Sequence, residues 1–138
     1  LCTTRKKVII EKNIFDGMTM ASIYISNDCN DWYESGPVRD MTVRDNDFYI
    51  TDVVKGMHPA IFIDPIVSEK SSKDLSVHSG ITIENNRFYL KAGQKAIVGR
   101  YCRNLKVIDN IIYGAEDVSP YELEYCEAAL FENNTEKQ

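Results

Sequence analysis

The sequence predicts an all-β fold, a right-handed parallel β-helix (a solenoid) of about five coils with a basic period of 24 residues. A short strand that ends in asparagine recurs along the chain, and a second short strand follows each of its first four copies. Short strands at such a period, without helical periodicity, are typical of a solenoid whose units stack as successive coils. We expect one β-helix domain over residues 1–138, as a fragment of a longer chain.

The first repeated strand alternates apolar and polar residues before it meets an asparagine. Its copies are VIIEKNIF (8–15), MTVRDNDF (41–48), ITIENNRF (81–88), LKVIDNII (105–112) and ALFENN (129–134). The aligned residues are Asn13, Asn46, Asn86, Asn110 and Asn134, at spacings of 33, 40, 24 and 24. Stacked strands lie about 4.8 Å apart, so these residues should form a ladder at a bend of the coil. Asparagine tolerates the left-handed backbone there and can hydrogen-bond to its neighbours above and below.

The second repeated strand gives the register of the remaining columns. Its copies are ASIYIS (21–26), AIFIDP (60–65), AIVGRY (96–101) and YELEYC (121–126). When Cys102 is aligned with Cys126, the residues predicted to face inward are Ile97, Gly99, Tyr121 and Leu123. The same register forms one outward column from Ser26, Asp64, Arg100 and Glu124. Its alternating charges fit a solvated ion-pair ladder or a polar face that binds a hydroxyl-rich ligand.

Composition and charge exclude several classes of function. Hydrophobic residues make up 43% and charged residues 27% of the chain, which is typical of globular proteins. The net charge of −5 argues against a nucleic-acid-binding surface, and no apolar run approaches the length of a membrane span. The cysteines form no CxxC pair, and His58 and His78 stand alone, so neither a zinc site nor any other metal site is expected.

The cysteines allow two interpretations. Cys102 and Cys126 lie one coil apart in one column, with Cys29 near the equivalent position. Directly stacked cysteines are close enough for a disulfide, but a stack of buried free thiols fits equally well. We favour free thiols.

Two insertions interrupt the repeat at the same turn. They are SNDCNDWYESGPVR (26–39) and DPIVSEKSSKDLSVHS (64–79), whereas the 24-residue units pass to the next coil through almost no loop. Both insertions should therefore project from one edge of the helix on adjacent coils, where loops on a rigid scaffold often carry binding residues.

The first insertion is rich in groups that bind sugars. It contains Asp28, Asp31, Trp32, Tyr33, Glu34 and Arg39. An aromatic ring can pack on the apolar C–H face of a sugar while charged groups fix its hydroxyls. The alternatives are a loop that closes the helix edge, or a dimer contact with Trp32 as the anchor.

The run ISNDCNDWYESGPVRDMTVRDNDF, followed by AIFIDP and ITIENNRF, resembles the family 110 glycoside hydrolases. WYESGPVRD is its most specific part, since I-x-x-N-x-F coils occur in many β-helix proteins such as pectate lyases. The resemblance covers roughly residues 8–134 and a late portion of the much longer family enzymes.

This resemblance implies a bacterial enzyme that hydrolyses terminal α-1,3-linked galactose with inversion, without cofactor or metal. Its partner would be an oligosaccharide or glycoconjugate, with no nucleic acid or membrane, in an extracellular or periplasmic location. Because the fragment lacks preceding coils, we expect it to be inactive in isolation. Its open sheet edges and ends would favour a homodimer.

Inverting hydrolysis needs two carboxyl groups about 6.5–9.5 Å apart, one to protonate the leaving oxygen and one to activate water. Asp28 and Asp64 leave the second strand on adjacent coils, offset by two residues, which places their backbones on the order of 8 Å apart. We assign Asp64 as the acid and Asp28 as the base. The predicted substrate-binding residues are Asp31, Trp32, Glu34, Arg39 and Arg100. The alternative is a non-catalytic β-helix segment for carbohydrate binding or subunit association.

Overall fold

The chain folds into stacked coils made of short parallel strands. The computed structural model describes residues 7–28, 36–50, 58–68, 75–115 and 118–138. Across these ranges the chain forms fifteen strands in three parallel sheets. No helix in the described ranges is long and apolar enough to cross a membrane. The predicted parallel β-helix is confirmed.

The first sheet holds one strand of three to seven residues from every coil, together with one shorter strand. In spatial order it contains β1 (Val8–Glu11), β4 (Arg39–Arg44), β7 (His78–Glu84), β11 (Lys106–Ile108) and β14 (Leu130–Glu132), with β10 (Cys102–Arg103) also paired to β7. Every pair is parallel and in register with the repeat, so Val43 lies opposite Ile83 and Ile83 lies opposite Val107.

The second and third sheets repeat this arrangement on the other sides of the coil. The second contains β2 (Ile14–Asp16), β5 (Asp47–Tyr49), β8 (Arg87–Tyr89), β12 (Ile111–Tyr113) and β15 (Thr135–Lys137). The third contains β3 (Ile23–Ile25), β6 (Ile61–Ile63), β9 (Ile97–Arg100) and β13 (Tyr121–Glu124). Each coil therefore passes once through the first, second and third sheets before it reaches the next coil.

The asparagine ladder forms at the bend between the first and second sheets. At each rung the upper asparagine accepts hydrogen bonds from the backbone and side-chain N–H groups of the asparagine below, at 2.9–3.0 Å. The five rungs are those that the repeat predicts: Asn13, Asn46, Asn86, Asn110 and Asn134. The ladder prediction is confirmed.

The expected left-handed conformation of the ladder asparagines is wrong by one position. The residues with positive φ come immediately before the ladder: Lys12, Asp45, Asn85, Asp109 and Asn133. The preceding residue turns the backbone, which leaves the ladder residue free to direct its amide along the stack. The bend contains two residues in every coil. Two residues separate Glu11 from Ile14 in the first coil, and two separate Glu132 from Thr135 in the last.

The core is a set of apolar columns inside the coils. Phe15, Phe48 and Phe88 stack with ring centroids 4.8 Å apart, and Phe88 lies opposite Ile112 on the next coil. Isoleucines of the third sheet, such as Ile25 and Ile63, are completely buried. Since each side chain packs on its equivalents above and below, one apolar residue type tends to recur along a column.

The predicted inward register of the third sheet is confirmed. Tyr121 lies opposite Ile97, and Leu123 lies opposite Gly99. Ile97 is fully buried, and Tyr121 and Leu123 pack against the buried core. Gly99 has a packing role, since a Cβ atom at this position would lie 2.9 Å from the Leu123 side chain.

Candidate functional site

The outward-pointing residues of the third sheet form two neighbouring columns. Strand residues alternate between the two sides of a sheet, so the residues between the buried isoleucines point outward. One column contains Tyr24, Phe62, Val98 and Glu122, and the other contains Ser26, Asp64, Arg100 and Glu124. We call these two columns the third-sheet outer face. The second column is the one that the sequence alignment predicts.

The predicted alternation of charge produces two ion pairs centred on Arg100. Its Nη1 lies 3.2 Å from Oδ1 of Asp64, and its Nε lies 3.3 Å from Oε2 of Glu124. Burial by itself lowers the pKa of Arg100, but the hydrogen bond to Asp64 and the charges of Asp64 and Glu124 outweigh it and raise the pKa. Arg100 therefore stays cationic and joins three successive coils.

Two aromatic side chains lie at the start of the other column of this face, which we call the aromatic column. The rings of Tyr24 and Phe62 stack with centroids 5.4 Å apart, and the guanidinium carbon of Arg100 lies 5.5 Å from the Phe62 centroid. Tyr24 also donates its hydroxyl to the backbone carbonyl of Asp64 at 3.4 Å. The aromatic and charged columns thus form one continuous surface, and the cation–π contact fixes the side chain of Arg100.

An open cavity of about 290 Å³ lies on this surface. Its walls are His58, Pro59, Phe62, Lys95, Val98, Arg100 and Glu122. Lys95 and Glu122 form an ion pair of 3.3 Å at its side. The combination of one aromatic ring with two cations and one carboxylate suits a ligand that has both apolar C–H groups and hydroxyls.

Asp28 lies three residues beyond the end of β3, at the edge of the third sheet that the first coil forms. It forms a parallel bridge with Ile66 of the next coil, and the backbone N–H of Ile66 donates to the carbonyl of Asn27 at 2.9 Å. Asp64 comes two residues before Ile66, so the offset of two residues between Asp28 and Asp64 agrees with the structure. The pairing of their carboxyl groups stays a prediction.

Arg39 makes backbone contacts beside this edge. Its Nη1 donates to the carbonyl of Val38 at 2.9 Å and to that of Val77 at 2.6 Å. Arg39 therefore holds together the chain segments that enter β4 and β7, and both N–H groups of Nη1 are occupied. Its predicted contact with substrate stays a prediction.

Asp31, Trp32 and Glu34 lie outside the described residues, as does Cys29. Their predicted roles in substrate binding are therefore carried by the sequence alone. Within the described ranges no cluster of three or more histidine, cysteine or acidic side chains could hold a metal ion.

Sequence reasoning missed several residues of this surface. Tyr24 and Phe62 occupy equivalent positions in ASIYIS and AIFIDP, so extension of the column alignment by two residues would have found them. His58 and Lys95 carry no comparable signal, because they come from the segments that lead into β6 and β9.

Comparison with known proteins connects this architecture to a group of enzymes. The chain is 46% identical over 110 residues to an α-1,3-galactosidase A of Peterkaempfera griseoplana. It is 38% identical over 128 residues to an α-1,3-galactosidase A of Bacteroides thetaiotaomicron, and 32% identical over 144 residues to an α-1,3-galactosidase B of that organism. No protein-family model matches the chain. The predicted sequence resemblance is confirmed by these relatives.

The matched region is a large share of this chain and a small share of its relatives. These three matches cover 80%, 92% and 97% of the chain, but only 14%, 21% and 23% of the relatives' own length. The stretch corresponds to a C-terminal part of those proteins. The chain therefore spans less than a quarter of the length of these relatives.

Proposed function

We propose that this chain, which is related in sequence to part of the α-1,3-galactosidases, contributes to a glycoside hydrolase that releases terminal α-1,3-linked galactose with inversion. The relatives at 32–46% identity support this reaction class. Such an enzyme needs a surface that holds a sugar and two carboxyl groups on opposite sides of the scissile bond. The third-sheet outer face, together with the edge of that sheet at Asp28, would provide both.

The observation that carries the proposal is the bridge between Asp28 and Ile66. It supports a placement of Asp28 one coil from Asp64 and two residues further along the strand direction. One strand spacing and two residues of strand rise separate such backbones by about 8 Å. That separation is compatible with an inverting pair, which must leave room for a water molecule.

In the proposed mechanism Asp64 is the acid and Asp28 is the base. Asp64 must carry a proton before it can protonate the leaving oxygen, so its ion pair with Arg100 has to be released. Substrate hydroxyl groups would release this ion pair by accepting hydrogen bonds from the N–H groups of Arg100. Arg100 would then bind the sugar, with Glu124 as its remaining charged partner.

Apolar contact with the sugar would come from the aromatic column. Phe62 lines the cavity beside Arg100, and Tyr24 extends the stack by one coil. Asp31, Trp32, Glu34 and Arg39 are proposed to add contacts from the first insertion. A galactose bound here would place its ring against Phe62 and its hydroxyls towards the charged column.

The test is hydrolysis of a terminal α-1,3-galactoside by the complete protein that contains this chain. We expect Asp28→Asn and Asp64→Asn each to reduce kcat by about 10²–10⁴-fold, because each removes one acid–base group. Asp16→Asn is the matched control, since Asp16 is exposed on the second sheet. NMR should detect β-galactose as the first product from the unmodified protein. Near-normal rates in both variants would reject the assignment, and α-galactose as first product would reject inversion.

A second candidate function is carbohydrate binding without catalysis. The observation in its favour is that Phe62, Arg100 and the other walls of the cavity all belong to the described part of the chain. If the chain only binds, Asp28→Asn and Asp64→Asn should leave oligosaccharide affinity within about twofold, and the complete protein should release no galactose. Turnover that either substitution abolishes would reject this alternative.

A further inference from the structure

The turn that follows the third sheet carries one column of stacked side chains, in which a valine is followed by a histidine and two cysteines. Val38, His78, Cys102 and Cys126 occupy equivalent positions on successive coils, as the pairing of their strand neighbours shows. Cys102 and His78 are buried, and Cys126 is partly exposed. His78 accepts a hydrogen bond from the backbone N–H of Val38 through Nδ1, at 3.1 Å. The column thus ends in two thiols at neighbouring rungs.

The two sulfur atoms lie in direct contact. Sγ of Cys102 and Sγ of Cys126 are 2.7 Å apart, and both side chains are free thiols. Directly opposite residues on neighbouring strands lie about 4.8 Å apart, a backbone separation that a disulfide also uses. The backbone spacing of the two cysteines is therefore compatible with a disulfide.

The two thiols differ in their surroundings. The hydrogen bond between the two sulfurs lowers the pKa of Cys126 and raises that of Cys102, and burial raises the pKa of Cys102 further. Cys126 is thus the partly exposed cysteine and the one that ionises more readily. A cysteine that ionises readily and is accessible to solvent is reactive. Cys102 stands behind it as a protonated thiol. This asymmetry is that of an attacking and a resolving cysteine.

We propose that Cys102 and Cys126 form a dithiol site that reacts with small disulfides and closes a disulfide between the fourth and fifth coils. The Cys126 thiolate attacks one sulfur of an external disulfide; a mixed disulfide forms and one thiolate leaves. Cys102 then loses its proton and attacks Sγ of Cys126, which expels the second thiolate. The two protein thiols are oxidised to one disulfide, the external disulfide is reduced to two thiols, and the protons released pass to the leaving groups or to water.

This site is separate from the proposed sugar-binding surface. The inward column of Cys102 and Cys126 faces the core beside Gly99 and Leu105, whereas Arg100 points outward from the same turn. Closure of the disulfide ties residues 102 and 126 and so restricts the unfolded chain. We expect the oxidised chain to melt higher than the reduced chain by about 5–10 °C.

The experiment uses the full chain with Cys2→Ser and Cys29→Ser, so that only the two stacked cysteines remain. The protein is treated with oxidised glutathione, blocked with iodoacetamide and digested with trypsin without reduction. We expect loss of both free thiols and a disulfide that joins the peptide of residues 101–103 to that of residues 107–137. Separate glutathione adducts on both cysteines, or thiols that iodoacetamide still alkylates, would overturn the proposal.

Single variants on that background separate chemistry from folding. Cys126→Ser should abolish closure and leave Cys102 unreactive, whereas Cys102→Ala should stop the reaction at a glutathione adduct on Cys126. Phenylarsine oxide, which needs two adjacent thiols, should bind the parent once and neither single variant. Circular dichroism identifies any variant that fails to fold. Equal arsenical binding by folded parent and folded Cys126→Ser would also overturn the proposal.

Discussion

Asn86 and Asn110 are 24 residues apart in the sequence, yet Oδ1 of Asn110 accepts both the backbone N–H and the side-chain N–H of Asn86, at 2.9 and 3.0 Å. The side-chain nitrogen of Asn86, Nδ2, also donates to the carbonyl groups of Val43 and Glu84. One buried amide therefore satisfies backbone groups of two coils. The ladder fixes the vertical register of the stack, since a shift of one residue would leave all of these groups without partners.

Replacement of a central rung should be strongly destabilising. Asn86→Ala removes the acceptor of the buried backbone N–H of Asn46 and a donor to the carbonyl of Val43, whereas Nδ2 of Asn46 keeps its bond to the carbonyl of Ile10. We expect a loss of about 3 kcal/mol in the free energy of unfolding, measured by urea denaturation. Asn13→Ala is the control, because Asn13 is exposed at the first rung, and it should cost less than about 1 kcal/mol. Equal losses in the two variants would contradict the burial argument.

Removal of the aromatic ring beside Arg100 should weaken sugar binding. Phe62→Ala eliminates a wall of the cavity and the cation–π contact of Arg100. We expect about a tenfold loss of affinity for a terminal α-galactoside by calorimetry, since stacking contacts contribute about 1 kcal/mol. Tyr113→Ala, which removes a stacked ring from the second sheet, should leave affinity unchanged. Similar losses in both variants would point to general destabilisation instead.

The stability of the chain should fall at acidic pH because of His78. Burial, together with the charge of Arg39, lowers the pKa of His78 to about 4 from its ordinary value of 6.5. The unfolded state therefore binds a proton more readily between these values. The stabilisation from neutral His78 is complete above pH 6.5 and is lost as the pH falls towards 4, by about 3 kcal/mol.

The measurement compares the unfolding free energies of the parent and of His78→Gln between pH 7 and pH 4. Glutamine can still accept the hydrogen bond from Val38, and it does not titrate. Carboxylates contribute equally to both curves, so the parent should lose about 3 kcal/mol more than the variant. Parallel curves would show that His78 does not titrate as its burial requires.

Gly114 should not tolerate a side chain. Its φ is +76°, and a Cβ atom at this position would lie 2.3 Å from the carbonyl oxygen of Leu90. Gly114→Ala should cost at least about 3 kcal/mol in thermal or chemical denaturation, since backbone strain and a backbone clash combine. Gly80 has a φ of +64° but ordinary contact distances of 3.4 Å and more. Gly80→Ala should therefore cost only about 1–2 kcal/mol, and the reverse order would refute the steric reason.

The sequence was sufficient for the scaffold because the scaffold is periodic. Repeated asparagines revealed the ladder, and the same alignment placed Asp64, Arg100 and Glu124 in one column. The predicted left-handed residue lies one position too late, because NN in ITIENNRF offers two candidates and only the backbone distinguishes Asn85 from Asn86. Lys12, Asp45 and Asp109 occupy the same position in other coils, so residue type alone gives no clear signal there.

Contacts between columns were not predictable by alignment alone. The position of Arg100 over Phe62 depends on the side-chain direction of two residues on different coils. The burial of His78 depends on its place in the turn rather than on any neighbour in the sequence. Segments outside the repeated strands cannot be aligned into columns. The positions of His58 and Lys95 therefore could not be predicted from the repeat.

Two of the three corners of each coil differ in how freely their length can vary. The bend of the asparagine ladder always contains two residues, whereas the turn after the third sheet ranges from a few residues to long insertions. Evolution can therefore lengthen or exchange segments at one edge while the hydrogen-bonded edge keeps the coils aligned. For a protein engineer, this solenoid is a display scaffold with a built-in position for grafted loops.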